Sequence, residues 1–132
     1  MSQADIETLR AAYEAISRRD WDRIFRRMHP EFEMKMPDRD PLGGTYRGPE
    51  ESKRFYDEMF EPFEEVVVEP EEFFERGDQV VVFFRWRARP RGSSAVVENR
   101  AGHLWTMRHG KPLRCELFPV REKALEAAEL RE

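Results

Sequence analysis

The stretch Val96-Val-Glu-Asn-Arg-Ala-Gly-His-Leu-Trp-Thr-Met-Arg108 decides how this chain folds. In an extended strand alternate side chains point to opposite faces. Val97, Asn99, Ala101, His103, Trp105 and Met107 therefore share one face. Apart from Asn99 near its start, that face is apolar or small, and His103 is its one titratable group. Histidine alone among side chains has an unperturbed pKa near neutrality, so a protected site there is suited to acid–base work.

The flanking segments repeat the pattern. Gln79–Arg89 places Phe84, Trp86 and Ala88 on one face and Arg85, Arg87 and Arg89 on the other. Val66–Glu75 reaches it through Arg76-Gly77-Asp78, a hairpin signal. Pro90–Ser94 turns into Val96–Arg108, and His109-Gly110 turns into Pro112–Val120. Glu122–Leu130 reads as a short closing helix.

The first sixty residues carry a different period. Ser2 and Asp5 resemble a capping box, and Ile6, Leu9, Tyr13 and Ile16 recur at helical spacing. Asp20 can cap a second helix, with Trp21, Ile24, Phe25 and Met28 on its stripe. His29-Pro30 stops it. Phe32, Met34 and Met36 then alternate with Glu31, Glu33 and Lys35, as in a short half-buried strand. Pro37 to Gly48, with two prolines and three glycines, reads as a loop. Pro49 suits the start of a third helix, favoured by Glu50 and Glu51, and Phe55, Tyr56, Met59 and Phe60 form its stripe. Helices followed by a meander of long strands predict an α+β fold with helices on one face of an antiparallel sheet. Long strands covering three helices must curve, and the resulting cone encloses the default pocket.

Composition bounds the function. The 132 residues suit one domain with one core. Charged residues make up 38% and aromatic ones 12%, which describes a charged shell around an aromatic interior. The net charge is -4, and the one basic stretch clear of acids is Arg85, Arg87, Arg89 and Arg91, so nucleic acid is a poor partner. The single cysteine, Cys115, fits a reducing compartment. Residues 1–20 are polar, without the apolar core of a signal peptide, and the longest apolar run, Val80–Phe84, is too short to span a bilayer. A cytoplasmic protein without membrane contact is the expectation. His29, His103 and His109 lack metal-ligand spacing, and Gly43-Gly44 does not open a helix as a phosphate loop would, so no metal or cofactor is expected.

Several stretches together resemble a known family: Tyr13-Glu-Ala-Ile-Ser-Arg-Arg-Asp20-Trp-Asp-Arg-Ile24, His29-Pro30-Glu-Phe-Glu-Met34, Gly44-Thr-Tyr46-Arg-Gly48-Pro-Glu50, Gly77-Asp78-Gln-Val-Val81 and His103-Leu-Trp-Thr-Met-Arg-His-Gly110-Lys111. Across about residues 5 to 128 the chain is similar to the SnoaL-like, ketosteroid-isomerase-like branch of the nuclear-transport-factor-2-like superfamily. The resemblance implies a single domain over residues 1–132, a cystatin-like α+β roll in which a cone-shaped curved antiparallel sheet wraps the N-terminal helices. It implies isomerase, cyclase or dehydratase chemistry, or a non-catalytic binding or dimerisation module. It also implies a homodimer through the outer sheet face, where Arg85, Arg87, Arg89, Glu98, Arg100, Arg114 and Glu116 read as cross-strand ion pairs.

The ketosteroid isomerase site pairs an Asp base with a Tyr and a protonated Asp that hold an oxyanion. By resemblance, Met36 before Pro37 stands where that base stands, and His103 where the late-strand Asp stands. The helix-one Tyr falls nearest Ala12, one position before Tyr13. Steroid isomerase chemistry is therefore disfavoured. His103 is the candidate proton carrier, with Asp38 or Tyr46 assisting; Asp38 and Asp40 both sit in the loop after Met36, and Asp38 is nearer the family's base. Tyr13, Trp21, Phe25, Met34 and Met36 are expected on the pocket wall, with Phe55, Met59, Phe84, Trp86, Trp105 and a buried Cys115. Methionines suit an adaptable wall for a small hydrophobic molecule. The expected function is a cofactor-independent isomerase, cyclase or dehydratase. A non-catalytic lipophilic-ligand or dimerisation module is the alternative, favoured by methionine in place of the base.

Overall fold

The computed structural model describes residues 2–131, with side chains from residue 3 to residue 129. The Ser2 cap expected from sequence lies outside the described side chains. Helix α1 (Ser2–Ser17) buries Leu9, Tyr13 and Ile16. It ends in a left-handed turn at Arg19 (φ 58°), whose guanidinium donates to the Phe63 carbonyl at 2.9 Å. Asp20 caps α2 (Trp21–Arg27) by accepting from the Arg23 N–H. Strand β1 (Glu33–Met36) alternates as its sequence dictates, with Met34 and Met36 buried.

The segment 37–48 is not all loop: Gly44–Arg47 forms β2, antiparallel to β1. Thr45, Tyr46 and Arg47 are compatible with a strand, but the surrounding glycines and prolines mask so short an element, which exists through pairing with β1. Helix α3 (Gly48–Phe60) carries its proline in the first turn and buries Ser52, Phe55, Tyr56 and Phe60.

Long strands β3 (Phe63–Arg76), β4 (Gln79–Pro90), β5 (Val97–Arg108) and β6 (Lys111–Phe118) follow, and α4 (Arg121–Arg131) closes the chain. The sheet order is β2-β1-β6-β5-β4-β3, antiparallel except where β1 runs parallel to β6. Register shifts at Phe63/Glu65 and Pro70/Glu72 interrupt β3, and one at Thr106/Met107 interrupts β5. Such bulges bend strands and raise their twist, and the six strands curve around α1 and α3. Ser17 ties the end of α1 to β3, its hydroxyl accepting from the Val68 N–H at 2.9 Å.

The outer sheet face is divided. Val81, Phe83 and Leu104 lie under Ala124 and Ala128 of α4 in a second apolar cluster. Gly102 permits this approach, since a Cβ there would meet the Arg121 backbone at 3.1 Å and Ala124 at 3.2 Å. The remainder of the face carries ion pairs: Arg85 with Glu69 and Glu98, Arg89 with Glu64, and Arg100 and Arg121 with Glu71. No helix among the described residues is long and apolar enough to cross a membrane.

Candidate ligand site

Inside the cone lies a cavity of about 270 Å³. For scale, a dry cavity of ~150 Å³ holds benzene, so this one has room for a two-ring molecule. Met34 and Met36 of β1 line it, with Phe55, Tyr56 and Met59 of α3, Phe84 and Trp86 of β4, and Asn99, Ala101 and His103 of β5. Ile16, Val68, Leu117, Leu42 and Asp40 complete the wall. Among the described residues the wall contains no lysine or arginine.

His103 is held from behind. The β5 alternation turns it inward, where its ring stacks on Phe84 with centroids 4.2 Å apart. Tyr13, one face-turn along α1 from Leu9 and Ile16, brings its hydroxyl to 2.7 Å from His103 Nδ1. Trp105, two residues beyond His103 on the same strand face, donates its indole N–H to the same Tyr13 oxygen at 2.8 Å. These bonds decide the tautomer. With the indole donating to the Tyr13 oxygen, the phenol proton has one acceptor among the described residues, Nδ1. His103 then carries its proton on Nε2. Nε2 has no protein partner among the described residues, so its N–H is left for a ligand in the cavity.

The electrostatics follow from burial. His103 keeps some open surface toward the cavity, but protein surrounds the ring, and desolvation pushes its pKa from 6.5 down to about 3. It is therefore a neutral hydrogen-bond donor at physiological pH. Because the folded-state value lies below the unfolded one, the unfolded chain binds the extra proton between these values. Stability is unaffected by this group above pH 6.5 and falls as pH drops from 6.5 toward 3. Burial also pushes the Tyr13 and Tyr56 phenols well above their usual range, so both remain protonated. Burial does the same to the Cys115 thiol, which removes it as a nucleophile.

Several expected site residues lie elsewhere. Tyr13 and Trp105 stand behind His103, off the cavity wall. Trp21 stacks on Tyr56 with centroids 5.2 Å apart, and Phe25 packs outside that pair, so α2 backs α3 without reaching the cavity. Cys115 is fully buried in the core. The Tyr46 hydroxyl donates to the Leu42 carbonyl at 2.8 Å, and its ring packs on Phe55; it braces the loop and does not face the cavity. Asp38 is exposed, and the loop brings Asp40 to the wall instead. The reason is local: Asp40 Oδ1 accepts from the Leu42 N–H at 2.9 Å, and the Asp40 carbonyl accepts from the Gly43 N–H at 2.8 Å. This double turn folds Asp40 and Leu42 over the mouth. Gly43 is obligatory in it, since a Cβ would lie 2.4 Å from the Pro37 carbonyl. Oδ2 of Asp40 has no partner among the described residues. Asn99 and Ala101 shared the His103 face in the alternation, whereas Ile16, Val68 and Leu117 carried no signal beyond apolar periodicity.

Residues 9–114 match the SnoaL-like domain family. The chain belongs to that family. Among solved structures, TerC co-crystallised with polyporic acid is 31% identical, with a TM-score of 0.79 over 96% of this chain and 99% of TerC. A nuclear-transport-factor-2-like protein of unknown function from Burkholderia pseudomallei is 26% identical, with a TM-score of 0.79 over 96% and 97% of the two chains. A similar protein from Burkholderia thailandensis shares the fold at 22% identity and a TM-score of 0.74, over 95% and 98%. No curated protein matches the chain. The SnoaL-like fold places the cavity and His103 inside the cone that these structures share.

Proposed function

We propose that this SnoaL-like chain is a cofactor-independent enzyme that enolises a neutral, largely apolar, carbonyl-bearing molecule in its cavity. The observation that carries the reading is the Trp105–Tyr13–His103 chain, which leaves a neutral Nε2–H as a donor in an apolar cavity whose one carboxylate among the described residues is Asp40. A substrate carbonyl oxygen accepts from Nε2–H. Asp40 takes a proton from the adjacent carbon, and the C–H electron pair moves into the carbonyl to give an enolate oxygen. His103 stabilises that oxygen with a hydrogen bond that strengthens as charge develops. Where a carbon–carbon double bond is conjugated with the enolate, return of the proton from Asp40 to its far carbon isomerises the molecule; attack of the enolate carbon on a second carbonyl closes a ring, and the alkoxide formed takes that proton. The absence of cationic wall residues favours a neutral substrate over a carboxylate. The co-crystallisation of TerC with polyporic acid supports small-molecule binding in this fold.

The test is exchange of the α-protons of α-tetralone, a two-ring ketone, in heavy water, followed by NMR at neutral pH. Exchange above the buffer rate is expected. His103→Ala should cut it at least ~100-fold, the scale of losing a positioned donor or acid. Asp40→Asn should abolish it while ketone binding persists. Exchange unaffected by either substitution would sink the mechanism. Met36 in the position of the family's base favours a second reading, simple carriage of a lipophilic ligand; that reading predicts binding with exchange at the buffer rate.

A further inference from the structure

Tyr56 holds a polar group that nothing else in the fold uses. Only 3% of its surface is open, and the residue lines the cavity. Its ring is fixed on several sides: stacked on Trp21, and edge-on to Phe55 and Phe60 at 5.3 and 6.2 Å. Burial, with a smaller push from the nearby Cys115, raises the pKa of its phenol, and Tyr56 in turn adds to the rise at Tyr13. Yet its hydroxyl makes no hydrogen bond among the described residues. Phenylalanine would fill the same space and keep the same ring contacts, so the hydroxyl adds nothing to the packing. Ser52, one turn earlier on α3, gives the contrast. Its hydroxyl is also unpartnered, but it is fully enclosed and off the cavity wall, where no ligand can reach it.

We propose that Tyr56 is a specificity-determining residue of this cavity, its O–H donating to the oxygen of a bound neutral ketone alongside His103 Nε2–H. This rests on the small-molecule reading of the cavity given above. A carbonyl oxygen has two lone pairs and accepts from two donors at once, one from β5 and one from α3. Asp40, an acceptor, sits in the loop folded over the mouth. The ligand therefore enters with its carbonyl end leading, and the site selects oxygen-bearing bicycles over hydrocarbons of the same shape. Such selection is strong where an analogue leaves buried donors unpaired.

The probes are α-tetralone and tetralin, which share a skeleton and differ in the carbonyl. Their affinities are measured by titration calorimetry on the intact wild-type chain and on Tyr56→Phe. Wild type should prefer the ketone by at least ~10-fold. Tyr56→Phe should weaken the ketone ~10-fold and leave tetralin unchanged, with an unliganded melting temperature no lower than wild type. Equal loss of both probes would mean that the ring merely shapes the wall, and would overturn the proposal. Undiminished ketone affinity, or a clear drop in the unliganded melting temperature, would also overturn it, because the hydroxyl would then be idle or already satisfied. If wild type binds neither probe, the small-molecule reading of the cavity fails and this inference with it.

Discussion

The two faces of strands β4 and β5 are made by alternate residues of the same segments, yet they use polar groups in opposite ways. Facing out, Arg85, Arg89 and Arg100 pair with Glu69, Glu98, Glu64 and Glu71 near solvent. Facing in, His103 and Trp105 meet α1 through Tyr13 in a chain of two bonds. Outside, charges are many and interchangeable, because water takes over whenever a partner is lost. Along that inner chain each donor has one acceptor, and losing a link strands a buried group. The outer face is held by exchangeable pairs, the inner face by a chain whose links have no substitute.

The strongest way to break this contrast is Tyr13→Phe. It preserves the ring but leaves the Trp105 N–H and His103 Nδ1 without their partner. It should cost about 2 kcal/mol in denaturant unfolding, and it frees the imidazole to place its proton on either nitrogen. A loss below ~0.5 kcal/mol would put the inner chain on the same footing as surface pairs. Glu71→Gln gives the opposite limit. It removes a carboxylate that Arg100 approaches at 3.1 Å and Arg121 at 4.0 Å. Unfolding should shift by less than ~1 kcal/mol, and the shift should shrink in high salt.

The same contrast explains what could be read from sequence. Period-two alternation assigned His103, Trp105, Phe84 and Trp86 to one face, and the helical stripes of α1 and α3 were legible because burial imposes their spacing. Alternation names a face but not what covers it. That α4 lies over Val81, Phe83 and Leu104 depended on where the chain returns after β6. The Tyr13–His103 bond joins residues 90 apart, and no local pattern encodes it. The family resemblance implied chemistry at His103 and pointed to Asp38. The choice of Asp40 depends instead on a turn two residues long, in which one carboxylate oxygen caps Leu42. Tyr56 was legible as a core aromatic, but nothing in its spacing distinguishes a hydroxyl that finds a partner from one that does not.

His103 is a neutral imidazole with its proton on Nε2, and it lines the cavity. Two-bond nitrogen–proton correlation NMR of the histidine side chains, followed from pH 8 to pH 4.5, tests it directly. His103 should show the Nε2–H tautomer throughout, with no titration, because its pKa is held at about 3. A midpoint between pH 6 and 7, or a proton resident on Nδ1, would mean that His103 is not the neutral Nε2–H donor.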